Sequence, residues 1–527
     1  MNEQKQSNPG ADGPDLIRGL LDTRAFPHPA GRRQLIETHI SWVVLAGDYA
    51  YKIKKPVDFG FVNFSTPDLR RHFCAEEVRL NQRFAPSIYL GVVPIGGSVA
   101  QPRVGREPAL EWAVHMVRFP ADAALDLQVA ENRVPGSALT AFGEALAKIH
   151  ARAACSPDPT HGAVDSIREP VFDNFASLGH TCADIPGFGA RLRSLREWTE
   201  HTTTALEPVF ETRVGQQRIR ECHGDLHLGN IVRPDDTCIA FDCLEFDPAL
   251  RWIDVISDVG FLVMDLLRHD RADLACRFLN RYLEVSGDYP GLAALPYYAV
   301  YRALVRAKTT ALQIAQQGPA GDFARVLTFM DLASRIAKPT SNSLLVICHG
   351  LSGSGKTWVS DQLIPELPAI RIRSDTLRKR LHGLAELDRS DTALHEGIYA
   401  ADATRRTYDR AAEFAALGLR AGLNVIVDAA CLRSDARRRF ERIADAAGAT
   451  AVILHCTADH DILEARVRER SARGADASEA GSAVLRDQLR REEPLTAAEL
   501  ARSVIADTGR DLDCREIAVA LRAHKQG

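Results

Sequence analysis

The chain has 527 residues, 46% of them hydrophobic and 25% charged, a length and balance that suit a folded protein of about two to four domains. A net charge of -4 gives no reason to expect a broad basic surface for nucleic acid or membrane. The eleven cysteines include no C-x-x-C pair, which excludes a zinc ribbon and gives no disulfide framework, as expected of a cytoplasmic protein.

Residues 1–34 read as a flexible N-terminus, the first dozen as disordered, and Met1–Asp15 is unlike a secretory leader. Ile40–Leu45 and Tyr49–Lys54 are β-rich runs around Ala46-Gly47-Asp48, which predicts a hairpin. Residues 68–84 read as a helix, and Tyr89–Pro94 and Glu111–Phe119 as strands, giving a small β-rich lobe. Beyond Pro120, helices are expected over Leu139–Arg152, Phe188–Thr203, Asp258–Leu267, Asp273–Val285, Tyr297–Gln317 and Phe323–Ile336, with a loop over Cys155–Pro170. No apolar run reaches the roughly 20 residues that span a bilayer. Residues 338–343 form the expected linker. After it, the apolar runs Leu344–Cys348, Ile370–Arg373, Asn424–Val427, Ala451–Leu454 and Ser503–Ala506 alternate with helical stretches, which predicts an α/β fold with a parallel sheet. The domains are therefore expected at 35–337 and 344–527.

In the first domain, His223-Gly-Asp-Leu-His-Leu-Gly-Asn230 followed by Asp242 is a kinase-type constellation. Asp225 is placed to accept the proton of an acceptor hydroxyl, and Asn230 and Asp242 to hold Mg²⁺ against nucleotide phosphates. His223 and His227 have the i, i+4 spacing of zinc ligands, but Gly224 and Gly229 argue against the helix that a zinc site would need. His227 reads instead as a brace for the loop.

In the second domain, Gly350-Leu351-Ser352-Gly353-Ser354-Gly355-Lys356-Thr357 has the P-loop spacing between an apolar strand and a helix. Its glycines let backbone N–H groups wrap a polyphosphate, Lys356 reaches the β- and γ-phosphates, and Thr357 supplies a hydroxyl for Mg²⁺. Asp375, at the end of a strand, is a candidate base and Arg378 a candidate holder of an acceptor anion. Asp428 ends a Walker-B-like strand and is a further Mg²⁺ candidate. Arg466, Arg470 and Arg473 share a helix face that can close over ATP. Arg373, Arg437, Arg438 and Arg439 read as surface residues.

These motifs carry two resemblances. Residues 343–527 resemble the small P-loop kinases, such as gluconate kinase and zeta-toxin-like proteins, through GLSGSGKT, Arg373-Ser-Asp-Thr-Leu-Arg378, VIVDA and the Arg-rich Glu464–Arg473. Residues 35–337 resemble the aminoglycoside phosphotransferase and choline-kinase-like group through HGDxHxxN and Ile239–Glu245. That resemblance implies an α+β bilobal, protein-kinase-like fold. It makes Lys52 the phosphate-contacting lysine, with Lys54 as a substitute and Glu76 or Glu77 as its partner, and makes Asp254 and Asp258 structural. No G-x-G-x-x-G loop precedes Lys52. The whole resembles a bacterial fusion of the two kinase types. This implies an ATP- and Mg²⁺-dependent phosphotransferase with two centres, acting on hydroxyls of small molecules and not on membranes or nucleic acid. The alternative is a regulatory protein in which only the P-loop half is catalytic, on nucleotides or nucleic-acid ends.

Overall fold

The computed structural model describes residues 13–22, 24–60, 62–316, 323–338, 343–390, 397–473 and 478–525. The chain divides into two units: the part up to Ala138 with Ile149–Ser166 and Glu211–Leu262, and Leu139–Lys148 with Ile167–Phe210 and Val263–Gly527. The expected disorder of residues 1–12 and most of the expected linker lie outside the described residues.

In the first unit, helix α1 (Gly13–Asp22) precedes a six-stranded antiparallel sheet of β1 (Gln34–Glu37), β2 (Ser41–Ala46), β3 (Tyr49–Lys54), β4 (Tyr89–Ser98), β5 (Gln101–Val104) and β6 (Ala109–Val117), in the order β1-β2-β3-β6-β4-β5. Helix α2 (Pro67–Asn81) joins β3 to β4; Pro67 opens it, and the Thr66 side chain caps it by accepting from Leu69 N–H. The period of two along β3 sends Tyr51 and Ile53 into a core shared with Leu16, Ile17 and Leu20 of α1, and Ala50 into a second core with Cys74 of α2. Lys52 and Lys54 share the face of Ala50. The N-terminal segment expected to be flexible thus contains a core helix, because its Leu16-Ile17-x-x-Leu20 spacing puts the apolar side chains on one face.

Helices α3 (Leu125–Ala130), α4 (Gly136–Arg152), α5 (Val164–Thr181) and α6 (Phe188–Gly215) follow. The loop expected over Cys155–Pro170 ends at Val164, and Pro170 lies inside α5, whose buried Val171, Asn174, Phe175 and Leu178 form one face. Helix α6 continues 12 residues past the expected end at Thr203, to Gly215. Strands β7 (Ile219–Glu221) and β10 (Trp252–Asp254) pair antiparallel, as do β8 (Ile231–Val232) and β9 (Ile239–Ala240).

Helices α7 (Val255–Arg268), α8 (Ala272–Ser286), α9 (Leu295–Gln316) and α10 (Ala324–Ala337) lead to the second sheet. Its strands are β11 (Leu344–His349), β12 (Ala369–Arg373), β13 (Asn424–Asp428), β14 (Thr450–Thr457) and β15 (Ser503–Asp507), all parallel, in the order β12-β13-β11-β14-β15. Its helices are α11 (Lys356–Glu366), α12 (Ser374–Leu381), α13 (Ala401–Arg420), α14 (Ser434–Ala446), α15 (His460–Arg473), α16 (Ser482–Arg491), α17 (Ala497–Ala501) and α18 (Cys514–Ala523). Val346, Cys348, Ile426, Val452 and Leu454 bury one sheet face against α11 and α18. The central strand β11 lies where the strand order reverses, the place where open α/β sheets bind ligands. The units do not divide at residues 338–343: helices α8 to α10 belong to the unit of the parallel sheet. Among the described residues no helix is long and apolar enough to cross a membrane.

Candidate functional sites

The first site is built around Glu77 on α2. One of its carboxylate oxygens accepts from Lys52 Nζ at 2.9 Å and the other from Lys54 Nζ at 2.8 Å. Lys52 also donates to Asp242 at 2.5 Å, and Lys54 to Glu245. The two candidate lysines are therefore distinguished: Lys52 bridges to Asp242, whereas Lys54 is fully buried between two carboxylates. Glu76 turns away to Arg79. Burial favours the neutral Glu77 carboxyl, but the two ammonium groups outweigh it and hold the pKa down at about 2. Burial likewise opposes the Lys52 charge, yet Asp242 and Glu77 keep its pKa well above the usual lysine value.

The β8–β9 pairing brings the two halves of the constellation together, since Phe241 N–H donates to the Asn230 carbonyl at 2.9 Å. Asn230 Nδ2 donates to the Asp225 carboxylate at 2.9 Å and to its carbonyl at 3.0 Å, which leaves the Asn230 amide oxygen as its available ligand atom. Asp242 has a left-handed backbone, φ 63°; its N–H donates to the Tyr89 hydroxyl at 3.2 Å, and Cys243 N–H donates to Asn81 Oδ1 at 2.9 Å. Asp258, buried on α7, accepts from His223 N–H at 2.8 Å and Gly224 N–H at 2.9 Å, which supports the loop. Asp254 pairs with the buried Arg213. Both His223 ring nitrogens bond within the protein, Nε2 to the Phe241 carbonyl and Nδ1 to Asp225 N–H. His227 Nδ1 accepts from Gly229 N–H, so neither histidine is poised for zinc. Sequence reading included Glu245 at the end of the Ile239–Glu245 motif without a role and gave none to Tyr89 or Asn81; the shared strand face of Lys52 and Lys54 is the available signal for a second buried acid.

The second site lies at the carboxyl end of β11. Gly353 and Gly355 have φ of 86° and 77°, and a Cβ there would meet Leu463 O at 2.7 Å and Thr508 Cγ2 at 3.0 Å. Only glycine lets the loop wrap this closely at both positions. Lys356 Nζ curls over the loop and donates to the carbonyls of Gly350 at 2.8 Å and Leu351 at 2.7 Å. Thr357 Oγ1 and Ser360 Oγ lie 3.3 Å and 3.4 Å from the Asp428 carboxylate oxygens. This hard-oxygen donor set suits Mg²⁺. Arg466 donates to the Gly353 carbonyl at 3.2 Å and to Thr508, so it sits on the P-loop. Arg470 instead donates to the Ala480 carbonyl at 2.9 Å, and the Arg473 side chain lies outside the described residues. Asp375 opens α12. Arg378 is buried, donating to the Ile398 carbonyl and Thr404 Oγ1 beside the Tyr399 ring. Ser352 and Ser354 are buried, and Leu351 packs on Leu463, Val467 and Leu485.

Arg437 is the clearest departure from expectation. It is fully buried, donates to both Glu499 oxygens, at 2.7 Å and 3.2 Å, and reaches the carbonyls of Cys431, Leu432 and Glu493. It ties the loop after β13 to the segment between α16 and α17. Arg373 is also held inward, by Glu386.

A lysine beside a cluster of oxygen ligands in each site, on these two folds, defines a phosphotransferase of the kinase type. Residues 71–295 match the model of the phosphotransferase enzyme family, and residues 345–495 match that of an AAA domain. Rv2004c, an uncharacterized protein of Mycobacterium tuberculosis (strain ATCC 25618 / H37Rv), is 30% identical over 478 residues, covering 90% of this chain and 91% of that protein. Mb2027c, an uncharacterized protein of Mycobacterium bovis, matches to the same extent. The chain belongs to the family of these proteins, and in it a phosphotransferase domain is followed by a P-loop kinase-like domain. Similar solved structures include a choline/ethanolamine kinase family protein from Mesorhizobium loti (15% identity, 62% of this chain and 95% of that one, TM-score 0.39). A gluconokinase from Sinorhizobium meliloti 1021 is also similar (19% identity, 36% of this chain and 94% of that one, TM-score 0.25).

Proposed function

We propose that the chain is an ATP-dependent kinase with two centres, each moving the γ-phosphoryl group of ATP to a hydroxyl of a small molecule. The observation that carries this is that each half assembles a lysine, a set of hard oxygen ligands and a separate carboxylate. In the first centre Lys52 faces the α- and β-phosphates, Asn230 and Asp242 hold Mg²⁺, and Asp225 takes the acceptor proton. In the second, the backbone of Gly350–Thr357 and Lys356 cradle the phosphates, Thr357 and Asp428 hold Mg²⁺, and Asp375 takes the proton. Arg466 and Arg470 belong to the cover over ATP, and Arg378 to the acceptor side. Bound Mg²⁺ supplies charge neutralisation on the phosphate oxygens. The acceptor oxygen bonds to Pγ as the bond from Pγ to the β,γ-bridging oxygen breaks; ADP leaves with that oxygen, and the hydroxyl proton passes to the aspartate. Eleven free cysteines, most of them buried, fit a cytoplasmic location.

One observation favours a second reading, in which the N-terminal half binds a ligand and only the P-loop half is catalytic. The turn Thr38–Ile40 between β1 and β2 has no glycine, and Gly47 in the β2–β3 turn donates its N–H to the Ala30 carbonyl at 2.7 Å. A glycine-rich phosphate cover is thus replaced by short, occupied turns. A panel of hydroxyl metabolites and oligonucleotides, incubated with ATP-Mg²⁺ and the parent, Asp225→Ala or Lys356→Ala chain, tests both. Two products, each lost with one substitution, establish two kinases. Turnover lost only with Lys356→Ala rejects the two-centre reading, and an oligonucleotide product would move the acceptor to nucleic-acid ends.

A further inference from the structure

Among the described residues the parallel sheet ends at β12, an edge strand whose outward N–H and C=O groups have no neighbouring strand. Helix α8, within the part of the chain matched by the phosphotransferase model, supplies the missing neighbour. Asn280 Nδ2 donates to the Ala369 carbonyl at 2.8 Å, and Asn280 Oδ1 accepts from Arg371 N–H at 2.6 Å. One side-chain amide thus makes the two bonds that the N–H and C=O of one residue in an adjoining parallel strand would make. The Tyr289 hydroxyl donates to the next outward carbonyl, that of Arg371, at 3.3 Å.

The side chains continue the connection. The Arg371 guanidinium, buried beneath the edge, reaches Glu284 of α8 at 3.1 Å, Asp361 of α11 at 3.3 Å and the Thr357 carbonyl at 3.4 Å. Asp361 is also paired with Arg277 of α8 at 2.9 Å. Charges therefore alternate from α8 to the first turn of the P-loop helix. At the other end of α8, Arg380 of α12 donates to the carbonyls of Glu284 at 2.6 Å and Val285 at 3.0 Å, where a cation suits a helix C-terminus. Gly287 caps α8 at φ 70°, and a Cβ there would collide with the Arg380 guanidinium. The Tyr289 ring stacks on Phe414 of α13 with centroids 4.7 Å apart. Apart from the Tyr289–Phe414 stack on α13, these contacts fall on β12, α12 or α11, and α12 and α11 carry Asp375, Arg378 and Thr357.

We propose that α8 and the turn Gly287–Tyr289 are a positioning element of the P-loop site, so that this centre takes the placement of its acceptor side from a helix outside its own family match. The P-loop half is then not an autonomous module, and the fusion of the two halves has a mechanical reason. This rests on reading the P-loop site as a phosphotransferase centre. The parallel sheet needs both edges managed, and here one edge is closed by a helix from outside its own family match.

The test uses the full chain carrying Asp225→Ala, so that turnover reports the P-loop centre, with and without Asn280→Leu. Removing both edge bonds should speed amide exchange across residues 369–373 about tenfold, with strands β11 and β14 unchanged. Lys356-dependent ATP turnover should fall about tenfold in kcat, with KM for ATP moving less than about threefold, because β12 and α12 bear the acceptor side. Exchange in 369–373 equal to the parent's, a rise shared equally by β11 and β14, or an unchanged kcat overturns the proposal. If Asn280→Leu does not fold, Arg277→Ala carries the same test, with the exchange change expected in β12 and the first turn of α11. If the parent has no Lys356-dependent turnover, the kinase reading fails and the exchange measurement alone decides the proposal.

Discussion

Two lysines two residues apart on one strand have opposite fates because of what faces them. Lys52 is shared between Glu77 and Asp242, whereas Lys54 is sealed between Glu77 and Glu245. Replacing Lys54 with methionine takes the ammonium partner from buried Glu245 and leaves Glu77 with Lys52 alone, which should cost about 3–5 kcal/mol in denaturant unfolding. A loss below ~1 kcal/mol would show that the pair is not buried in solution. The pH response follows from His349, the residue before Gly350. Burial, foremost, lowers its pKa to about 4 from the ordinary 6.5. Below pH 6.5 the unfolded chain takes up the proton first, so this contribution to stability is complete above 6.5 and falls as the pH drops to about 4, by at most ~1.4 kcal/mol per pH unit. Melting temperature against pH over that window should flatten in His349→Gln. An unchanged slope would assign the acid sensitivity elsewhere. The carboxylate of Glu77 acts lower, from its ordinary 4.5 down to about 2.

At the scale of elements, the run Arg437-Arg-Arg439 shows how far a local pattern reaches. Three successive arginines on a helix read as a basic face, but at 3.6 residues per turn they point in different directions. Arg437 turns inward to Glu499 and four carbonyls, while Arg438 stays exposed and reaches Ser434 Oγ. Arg437→Ala should therefore lower unfolding free energy by about 3–5 kcal/mol, and Arg438→Ala by less than ~0.5 kcal/mol. Equal effects in chemical denaturation would contradict the burial of Arg437. Four of the five strands of the parallel sheet were legible to within one residue, because buried parallel strands are continuous apolar runs. Strand β14 runs three residues past the expected end at Leu454, where His455 and Thr457 break the apolar run. Helix α1 and strands β1 and β5 were not legible. Gln34–Glu37 is largely exposed and shows little alternation, Gln101–Val104 alternates over only four residues and contains Pro102, and the apolar face of α1 is only three residues long.

At the scale of the whole molecule, the boundary between the units is not the boundary between the motifs. Residues 339–527 alone would expose the outer edge of β12 along with the apolar surfaces of Phe414 and its neighbours, which Tyr289 and α8 cover in the full chain. That fragment should associate with rising concentration in light scattering where the full chain does not. A monodisperse fragment with full ATP turnover would show that the sheet needs no help from α8.

The sequence by itself determined the chemistry: the P-loop spacing, the HGDxHxxN loop with its following aspartate, and the alternation of apolar runs all depend on neighbours within about a dozen residues. It also placed Lys52 and Lys54 on one face, and the family resemblance limited the acid to Glu76 or Glu77. Only the tertiary structure decided which lysine meets Asp242, that Glu245 is the second acid, that Arg437 is buried and that Asn280 completes the edge of β12. These contacts join residues from 62 to 191 positions apart, and their partners are chosen by packing and by the need to satisfy buried charge and backbone groups. No local pattern encodes that choice.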